Sequence, residues 1–563
     1  MTLRPRTHRL SRRSAMGGLA AAAAGFSHLV APRHVAASDL SLSDRIDLLY
    51  STQFHFNRDG EPQITVGVMQ GQQRVRISAP SGLMILPSGD GGTQITVGRS
   101  VEVTLGRARP AQQRYSVLLE ELRTGGSRVL DVAAQRWKKA GLDVSEQEIG
   151  TLFGVSGTVL DTRRVALTTG AWGSEAEASK HARALATAHG ALGRLHPLVG
   201  KRASGRMVAK QPGGGAEVAA DGVLWFAPRK PGESVTVHDV LSGTTMGTPK
   251  RSDRKYRGTI YVAIDRGGEL AVVNLISETH VLAGLVPAEI YASAPYAALR
   301  AQAVAARGQL VAKLGTRHLD DPFLLCSEQH CQVYAGQDRE HPRTTRAVRE
   351  TAGVVAMRPG GTQLVDTVYS ANSGGHTEDN EQVWPSDADP QLRGRADPLL
   401  RQPYRDGIAT AELGAWLGDP VASYSRPKSE AGKGAYRWTT AIDPGSLEGA
   451  PGVPDGIGTL RGLEVLSRGR SGRATAARLV GARKSVVLHG ELKIRRALGG
   501  LKSSMFVVAP DKDRYGRFVL YGGGHGHGVG MCQHGAIGMA TAGKDYSEIL
   551  AHYYSGALIK KLW

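Results

Sequence analysis

Between residues 62 and 109 apolar and polar positions alternate. The runs are Gln63-Ile64-Thr65-Val66-Gly67-Val68, Gln73-Arg74-Val75-Arg76-Ile77, Gln94-Ile95-Thr96-Val97 and Val101-Glu102-Val103-Thr104-Leu105. A period of two, broken by Gly, Pro and Asp, predicts short strands and a small β unit over 60–112. Nothing in it looks catalytic. Beyond 113 the pattern changes: 115–119 and 164–170 read as strands, 127–140 and 174–189 as helices, the second capped by Ser174. That β-α-β-α order predicts an open α/β sandwich over 113–200. Residues 205–219 read as a loop and 222–273 as strands again. Gly284-Leu285-Val286-Pro287-Ala288-Glu289 is expected to end a strand ahead of a helix from about 295 to 314. In that helix Leu299, Ala303, Ala306 and Leu310 recur at helical spacing, between Pro295 and Gly315.

Composition narrows the class. A chain of 563 residues has room for three or four domains of roughly 100–200 residues, and 41% hydrophobic content excludes wholesale disorder. Its 72 glycines follow no G-X-Y period, which excludes collagen. The net charge of +19 favours an anionic partner: nucleic acid, a membrane surface or a cell-wall polymer. No zinc-finger, RRM or homeodomain pattern occurs, so nucleic acid is not the expected partner. Three cysteines are too few for a disulfide scaffold.

The amino terminus reads as an export signal. Ser11-Arg12-Arg13-Ser14-Ala15-Met16 is similar to a twin-arginine motif, a weakly apolar run follows over 15–26, and Val35-Ala36-Ala37 offers small residues for cleavage. The run is shorter than the ~20 residues a transmembrane helix needs. A signal peptide over 1–38 is therefore expected, with a basic tail or an uncleaved anchor as alternatives. The protein is expected outside the cytoplasm, in the periplasm or cell wall, with no transmembrane anchor after cleavage.

Five motifs carry a resemblance. They are the GLVPAE run at 284–289, the helix from Pro295 to Arg307 (PYAALRAQAVAAR), Cys331-Gln332-Val333-Tyr334-Ala335-Gly336, Tyr369-Ser370-Ala371-Asn372-Ser373-Gly374-Gly375-His376-Thr377-Glu378, and Gly526-His527-Gly528-Val529-Gly530-Met531-Cys532-Gln533-His534-Gly535. In this order they resemble the SpoIID/LytB family over roughly 205–563, with a less similar insertion near 400–480. Gly170-Ala171-Trp172 ahead of an Ala-rich helix also resembles the SPOR module, which binds peptidoglycan glycan strands; a generic α/β spacer is the other reading. The fold class expected is α+β and multidomain. A mixed SpoIID-like catalytic domain would follow the small β unit and the SPOR-like module.

The resemblance implies a peptidoglycan lytic transglycosylase that cleaves the MurNAc–GlcNAc bond of denuded strands, with Glu289 as its catalytic residue. Physical chemistry suits a single acid. A carboxyl beside Leu285, Val286 and Pro287 can have a raised pKa, protonate the glycosidic oxygen and, as carboxylate, take the proton of the muramyl C6 hydroxyl. That hydroxyl then attacks C1 to give a 1,6-anhydro end, so the second carboxylate of an ordinary glycosidase is dispensable. The bland reading of Glu289 is a solvated helix cap.

Gln302, Arg307, Tyr334, Ser373, Glu378, His527 and Gln533 are the candidates for substrate contact, each also open to a structural reading. His318, Cys326, His330 and Cys331 fall within fourteen residues and make a chemically complete tetrahedral zinc set. The resemblance supports a structural zinc there, and none is needed for the chemistry; a Cys326–Cys331 disulfide and unconnected thiols stay open. Cys532 reads as a buried thiol. The alternative function is a non-catalytic glycan-binding protein that stimulates an amidase, which would make an amidase its partner. A zinc amidase fits less well, since its metal needs an open position and a nearby base.

Overall fold

The computed structural model describes residues 49–563 except 52–54, 58–59, 88–92, 124–126, 156, 190, 243–249, 329–330, 332, 385, 398–403, 419–421, 429, 444, 446, 451–452, 454, 513 and 515–516. The expected signal peptide lies outside the described residues. Among the described residues no helix is long and apolar enough to cross a membrane. Helices and several sheets mix in one chain, an α+β protein.

The alternating segments form strands as expected, but not a separate unit. Pro62–Gln72, Leu83–Leu86 and Ile95–Val97 share one sheet with Val223–Pro228, Thr259–Ile264 and Leu270–Ser277. Arg74–Ser78 and Ser100–Arg109 share a second sheet with Ser204–Lys210, Glu217–Asp221, Val235–Ser242 and Lys250–Tyr256. The small β unit over 60–112 is thus half of a body completed by residues 204–277, with the 113–200 segment inserted between the halves. Inward-facing Ile64, Val75, Ile77, Val103, Leu224, Val237 and Ile260 enter one core, whose burial makes the register of both halves mutually dependent. The loop expected over 205–219 is instead largely the hairpin of Ser204–Lys210 and Glu217–Asp221. Its short Ala- and Gly-containing strands give too weak an alternation to read.

The inserted module is a four-stranded antiparallel sheet. Its order is Arg194–Lys201, Gln112–Arg123, Arg164–Trp172, Ser145–Ile149, the arrangement of a split βαβ fold. Its helices are α1 (Ser127–Lys139) and α2 (Glu175–His189). Ser174 caps α2 by accepting the Glu177 amide at 3.2 Å. Leu119, Leu122, Ala133, Ala134, Trp137 and Leu167 form its own core. The module is held against the rest of the chain: Asp389 receives Arg123 at 2.8 Å and also Arg358, and the Gly150 amide bonds the Gly315 carbonyl at 2.7 Å.

Three further helices position the site. In α3 (Glu278–Glu289), Val281, Leu282, Leu285 and Val286 are buried, and Pro287, which lacks an amide hydrogen, precedes the helix end at Ile290. The GLVPAE run is therefore helical, correcting the strand expected there. A short apolar run buried on every side carries no period that separates the two. The next helix, α4 (Tyr296–Ala312), begins after Pro295 as expected, yet it is buried nearly all round, with Ala301, Gln302, Val304, Ala305 and Arg307 as hidden as the apolar stripe. Helix α5 (Pro342–Glu350) packs on α3 and α4.

The insertion also differs from its expected bounds of about 400–480. A separate core of Trp438, Ile442, Leu460, Leu479, Phe506 and Leu520 joins two three-stranded sheets, so the independently packed part runs from about 437 to 523.

Candidate active site

Glu289 is the last residue of α3 and is half-buried. Burial raises its pKa above the ordinary carboxylate value, opposed by the Lys313 ammonium and by a hydrogen bond from the Tyr369 phenol. Its main-chain oxygen accepts from Gln533 Nε2 at 2.8 Å, and the same amide reaches Gln302 Oε1 at 3.2 Å. Gln533 opens helix α6 (Gln533–Thr541), which packs on α4. Two glutamines far apart in sequence thereby hold the end of α3.

Tyr369 begins a two-residue strand, Tyr369–Ser370, paired in parallel with Met531–Cys532. This pairing brings the YSANSGGHTE and GHGVGM runs together. His527 Nε2 lies 3.0 Å from the Tyr369 carbonyl, while its Nδ1 accepts the Val529 amide at 3.0 Å. Those partners assign the Nε2–H tautomer of a neutral imidazole. Burial and the Arg473 charge pull its pKa down to about 3. The Trp384 ring lies 4.9 Å from the His527 ring, centroid to centroid.

A depressed histidine pKa means that the unfolded chain binds the proton more readily. The stability His527 confers over a glutamine should be complete above about pH 6.5 and lost progressively as pH falls toward 3. Thermal melts of wild type and His527→Gln across that range measure it. A constant difference between the two would contradict the assigned neutral state.

Four of the residues expected to touch substrate are placed elsewhere. Arg307 and Glu278 form an ion pair at 2.6 Å with neither side chain exposed. Tyr334 is buried against α3, its hydroxyl donating to Asn274 Oδ1 at 2.9 Å. A Cβ on Gly284 would stand 3.2 Å from the Tyr334 ring, so that glycine admits it. Ser373 bonds Ser425 at 2.8 Å and the Gly375 amide at 3.2 Å, wholly buried. Glu378 accepts from the Ser471 hydroxyl at 2.6 Å and from the Ser471 and Asp379 amides. These four hold the glycine-rich loops and helices in place; polar residues with every bond made internally have none to offer a sugar. Gln302, Gln533 and His527 do gather around Glu289 and Tyr369. Cys532 is buried, caps α6 through Sγ and has a raised pKa, which suits an inert thiol.

Beside this site His318, Cys326 and Cys331 bring one ligand atom each within 4.8 Å of one another. Cys326 and Cys331 are not joined as a disulfide. His318 Nε2 lies 3.3 Å from Cys331 Sγ, and its Nδ1 lies 2.8 Å from Asp321 Oδ2. His318 adopts φ +53°, uncommon for a residue other than glycine. Two sulfurs, one imidazole and a carboxylate orienting that imidazole fit zinc. His330, the fourth expected ligand, lies outside the described residues. Lys313 bridges the two regions: its ammonium donates to the Cys331 carbonyl and its charge acts on Glu289.

The sequence reading missed Tyr369, Lys313 and Asp321. Only Asp321 had a local signal, three residues after His318; the others reach the site through pairings that no periodicity reveals.

Comparison with known proteins agrees with the ordered motifs. The model of the SpoIID family, described as Stage II sporulation protein, matches residues 266–357, which contain Glu289 and the candidate metal ligands. A domain of unknown function, DUF8618, matches residues 417–530, the separately packed insertion. The chain is 27% identical to an amidase enhancer of Bacillus subtilis over 301 residues, covering 49% of this chain and 40% of that protein. It is 25% identical to the stage II sporulation protein D of Bacillus subtilis over 357 residues, covering 60% of this chain and 90% of that protein. The corresponding protein of Bacillus amyloliquefaciens is 27% identical over 316 residues, covering 54% of this chain and 79% of that protein. The chain thus spans less than half the length of the amidase enhancer. With its motifs in family order around one half-buried glutamate, the chain is similar to the SpoIID family, whose model matches it over residues 266–357.

Proposed function

We propose that the protein is an exported peptidoglycan lytic transglycosylase acting on denuded glycan strands, with Glu289 as acid and then base. The observation that carries this reading is the half-buried Glu289 carboxyl, whose pKa is raised by burial while the Tyr369 phenol and the Lys313 charge moderate the shift. Burial enlarges the share of the acid form over that of an exposed glutamate at the same pH. The phenol and ammonium stabilise the carboxylate left after the proton has gone to the glycosidic oxygen. The carboxylate then takes the proton of the C6 hydroxyl as O6 bonds to C1, which returns Glu289 to its acid form and leaves an anhydromuramyl end. Purified protein incubated with denuded strands should yield such ends by mass spectrometry. Strands bound without cleavage, with an amidase stimulated instead, would favour the enhancer reading that the Bacillus subtilis relative's name suggests. Because the acid form starts the reaction, the rate should fall as pH rises through the raised pKa of Glu289.

Zinc belongs to this proposal as a structural ion held by His318, Cys326, Cys331 and His330. It would supply a fixed positive charge that pins their loop beside the site. Elemental analysis should find about one zinc per chain, as one four-ligand set requires. Cys326→Ser should lose it and melt at a lower temperature, since ligation and folding are linked. Zinc-free protein whose melting temperature a chelator leaves unchanged would exclude the ion.

The split βαβ module is proposed as a SPOR-like glycan-binding element. Its strand and helix order supports this, and its docking through Asp389 makes it an extension of the catalytic body more than a loose tether.

A further inference from the structure

On the outer face of the second sheet, three strands bring together a serine, a histidine and an aspartate that take no part in the Glu289 site. Ser78 ends strand Arg74–Ser78, His238 lies in Val235–Ser242 and Asp253 in Lys250–Tyr256. The register pairs buried Ile77 with buried Val237, which turns their neighbours Ser78 and His238 outward. Ser78 Oγ lies 2.8 Å from His238 Nε2, and His238 Nδ1 lies 2.8 Å from Asp253 Oδ2. Between Val237 and Val240 the pairing with Lys250–Tyr256 slips, and in this bulge Asp239 adopts φ +57°. Its amide donates to Asp253 Oδ1 at 3.1 Å, while its carbonyl accepts from Arg251 at 3.2 Å. Both oxygens of Asp253 are thereby engaged. The Asp239 amide, and after it the His238 hydrogen bond, holds the Asp253 carboxyl below the ordinary carboxylate range. A carboxylate at Nδ1 assigns the proton to that nitrogen and leaves Nε2 to accept from the Ser78 hydroxyl. Nothing near Ser78 in sequence signals this, because 160 residues separate it from His238.

We propose that Ser78, His238 and Asp253 form a second active site, which hydrolyses short acyl esters. Ser78 Oγ bonds to the ester carbonyl carbon as its proton passes to His238 Nε2, and the carbonyl electron pair moves onto oxygen. Collapse of that adduct breaks the bond to the alcohol oxygen, and the alcohol leaves with the proton from Nε2. A water molecule then attacks the acyl-serine in the same way, which releases the acid and restores the Ser78 hydroxyl. Arg76, two residues before Ser78 on the same face, supplies positive charge for the developing oxyanion. Its charge already reaches Asp253 across the face. Asp253 is a positioning residue, since it acts through the imidazole. The acyl length follows from the surroundings. Ser100 and Thr236 stand opposite Ser78 in the two neighbouring strands, and Lys255 stands opposite Thr236. These side chains and Arg76 are polar, so the face suits a short acyl group on a hydrophilic alcohol better than a fatty chain. A strained bulge that aims one amide at the aspartate is the kind of local cost that functional sites carry.

Full-length protein is treated with a fluorophosphonate, which phosphonylates activated serines, and the label is mapped by peptide mass spectrometry. It should sit on Ser78. Hydrolysis of p-nitrophenyl acetate should exceed that of the octanoate, and Ser78→Ala should bring acetate turnover down to the buffer rate. His238→Gln should slow labelling by ~10²-fold or more, the usual worth of a general base. Asp253→Asn should slow it about tenfold, the scale of one hydrogen bond to a charged group, and Asp253→Glu should recover part of that loss. A merely structural aspartate would alter the melting temperature and leave the labelling rate of the folded protein unchanged. Label absent from Ser78 or scattered over other serines would overturn the proposal. Acetate turnover that survives in Ser78→Ala would do the same, and faster hydrolysis of the octanoate would overturn the substrate class.

Discussion

Glu289→Gln should lose cleavage of denuded strands by at least ~10²–10⁴-fold, the usual worth of a positioned acid–base group. The amide keeps the volume of the side chain and can still accept from Tyr369, but it neither gives nor takes a proton. Stability should move the other way. Burial raises the Glu289 pKa, so its contribution to stability is present below the unfolded value of about 4.5 and is lost as pH rises through the folded one. Near neutral pH the variant should therefore melt no lower than wild type, and the difference should vanish in acid. Strand cleavage near the wild-type rate would remove Glu289 from the chemistry. A large fall in melting temperature would show that the carboxylate is structural.

Most strands and helices of this chain with one wet face were legible, the weakly alternating hairpin of Ser204–Lys210 and Glu217–Asp221 excepted. Alternation in 62–109 and the amphipathic helices of the 113–200 module are visible because their outward positions are polar. Legibility fails where an apolar run is short: the GLVPAE run holds too few polar positions for periodicity to separate helix from strand, whereas α4, though buried nearly all round, was legible from the spacing of Leu299, Ala303, Ala306 and Leu310. Connectivity was invisible for a different reason: strands at 62–109 find their partners across the inserted module, at separations that no window spans.

The candidate site divides along similar lines. Glu289 was legible from its motif, and the His318 and Cys331 pairing from composition over a short span. Ser373 and Glu378 misled because a polar residue inside a glycine-rich motif looks the same whether it meets a ligand or the protein. Arg473, also buried, donates to Ser471 and to the Ser373 carbonyl. A Cβ on Gly528 would come within 2.4 Å of its guanidinium, so the glycine-rich run is partly a fit to an arginine from the insertion. Which polar residues are consumed in this way depends on long-range contacts that a single sequence does not display.

Arg307 makes the difference measurable. Its Nε donates to Glu278 Oε1 at 2.6 Å, and its two terminal nitrogens donate to the carbonyls of Val354 at 3.2 Å and Val348 at 3.3 Å. It thereby ties α4 to the start of α3 and the end of α5. Arg307→Ala would strand the Glu278 carboxylate in the core, whose second oxygen already has no partner. Removing one member of a buried pair costs ~3–5 kcal/mol, about 10 °C in melting temperature for a body of this size. Replacing both members with apolar residues of similar volume, Arg307→Met with Glu278→Leu, should recover most of that loss, because no charge is then left buried. The folded fraction of either variant should bind glycan with the affinity of the parent. A substrate-contacting arginine predicts the reverse: binding weakened in the double variant as much as in the single one, with stability hardly changed.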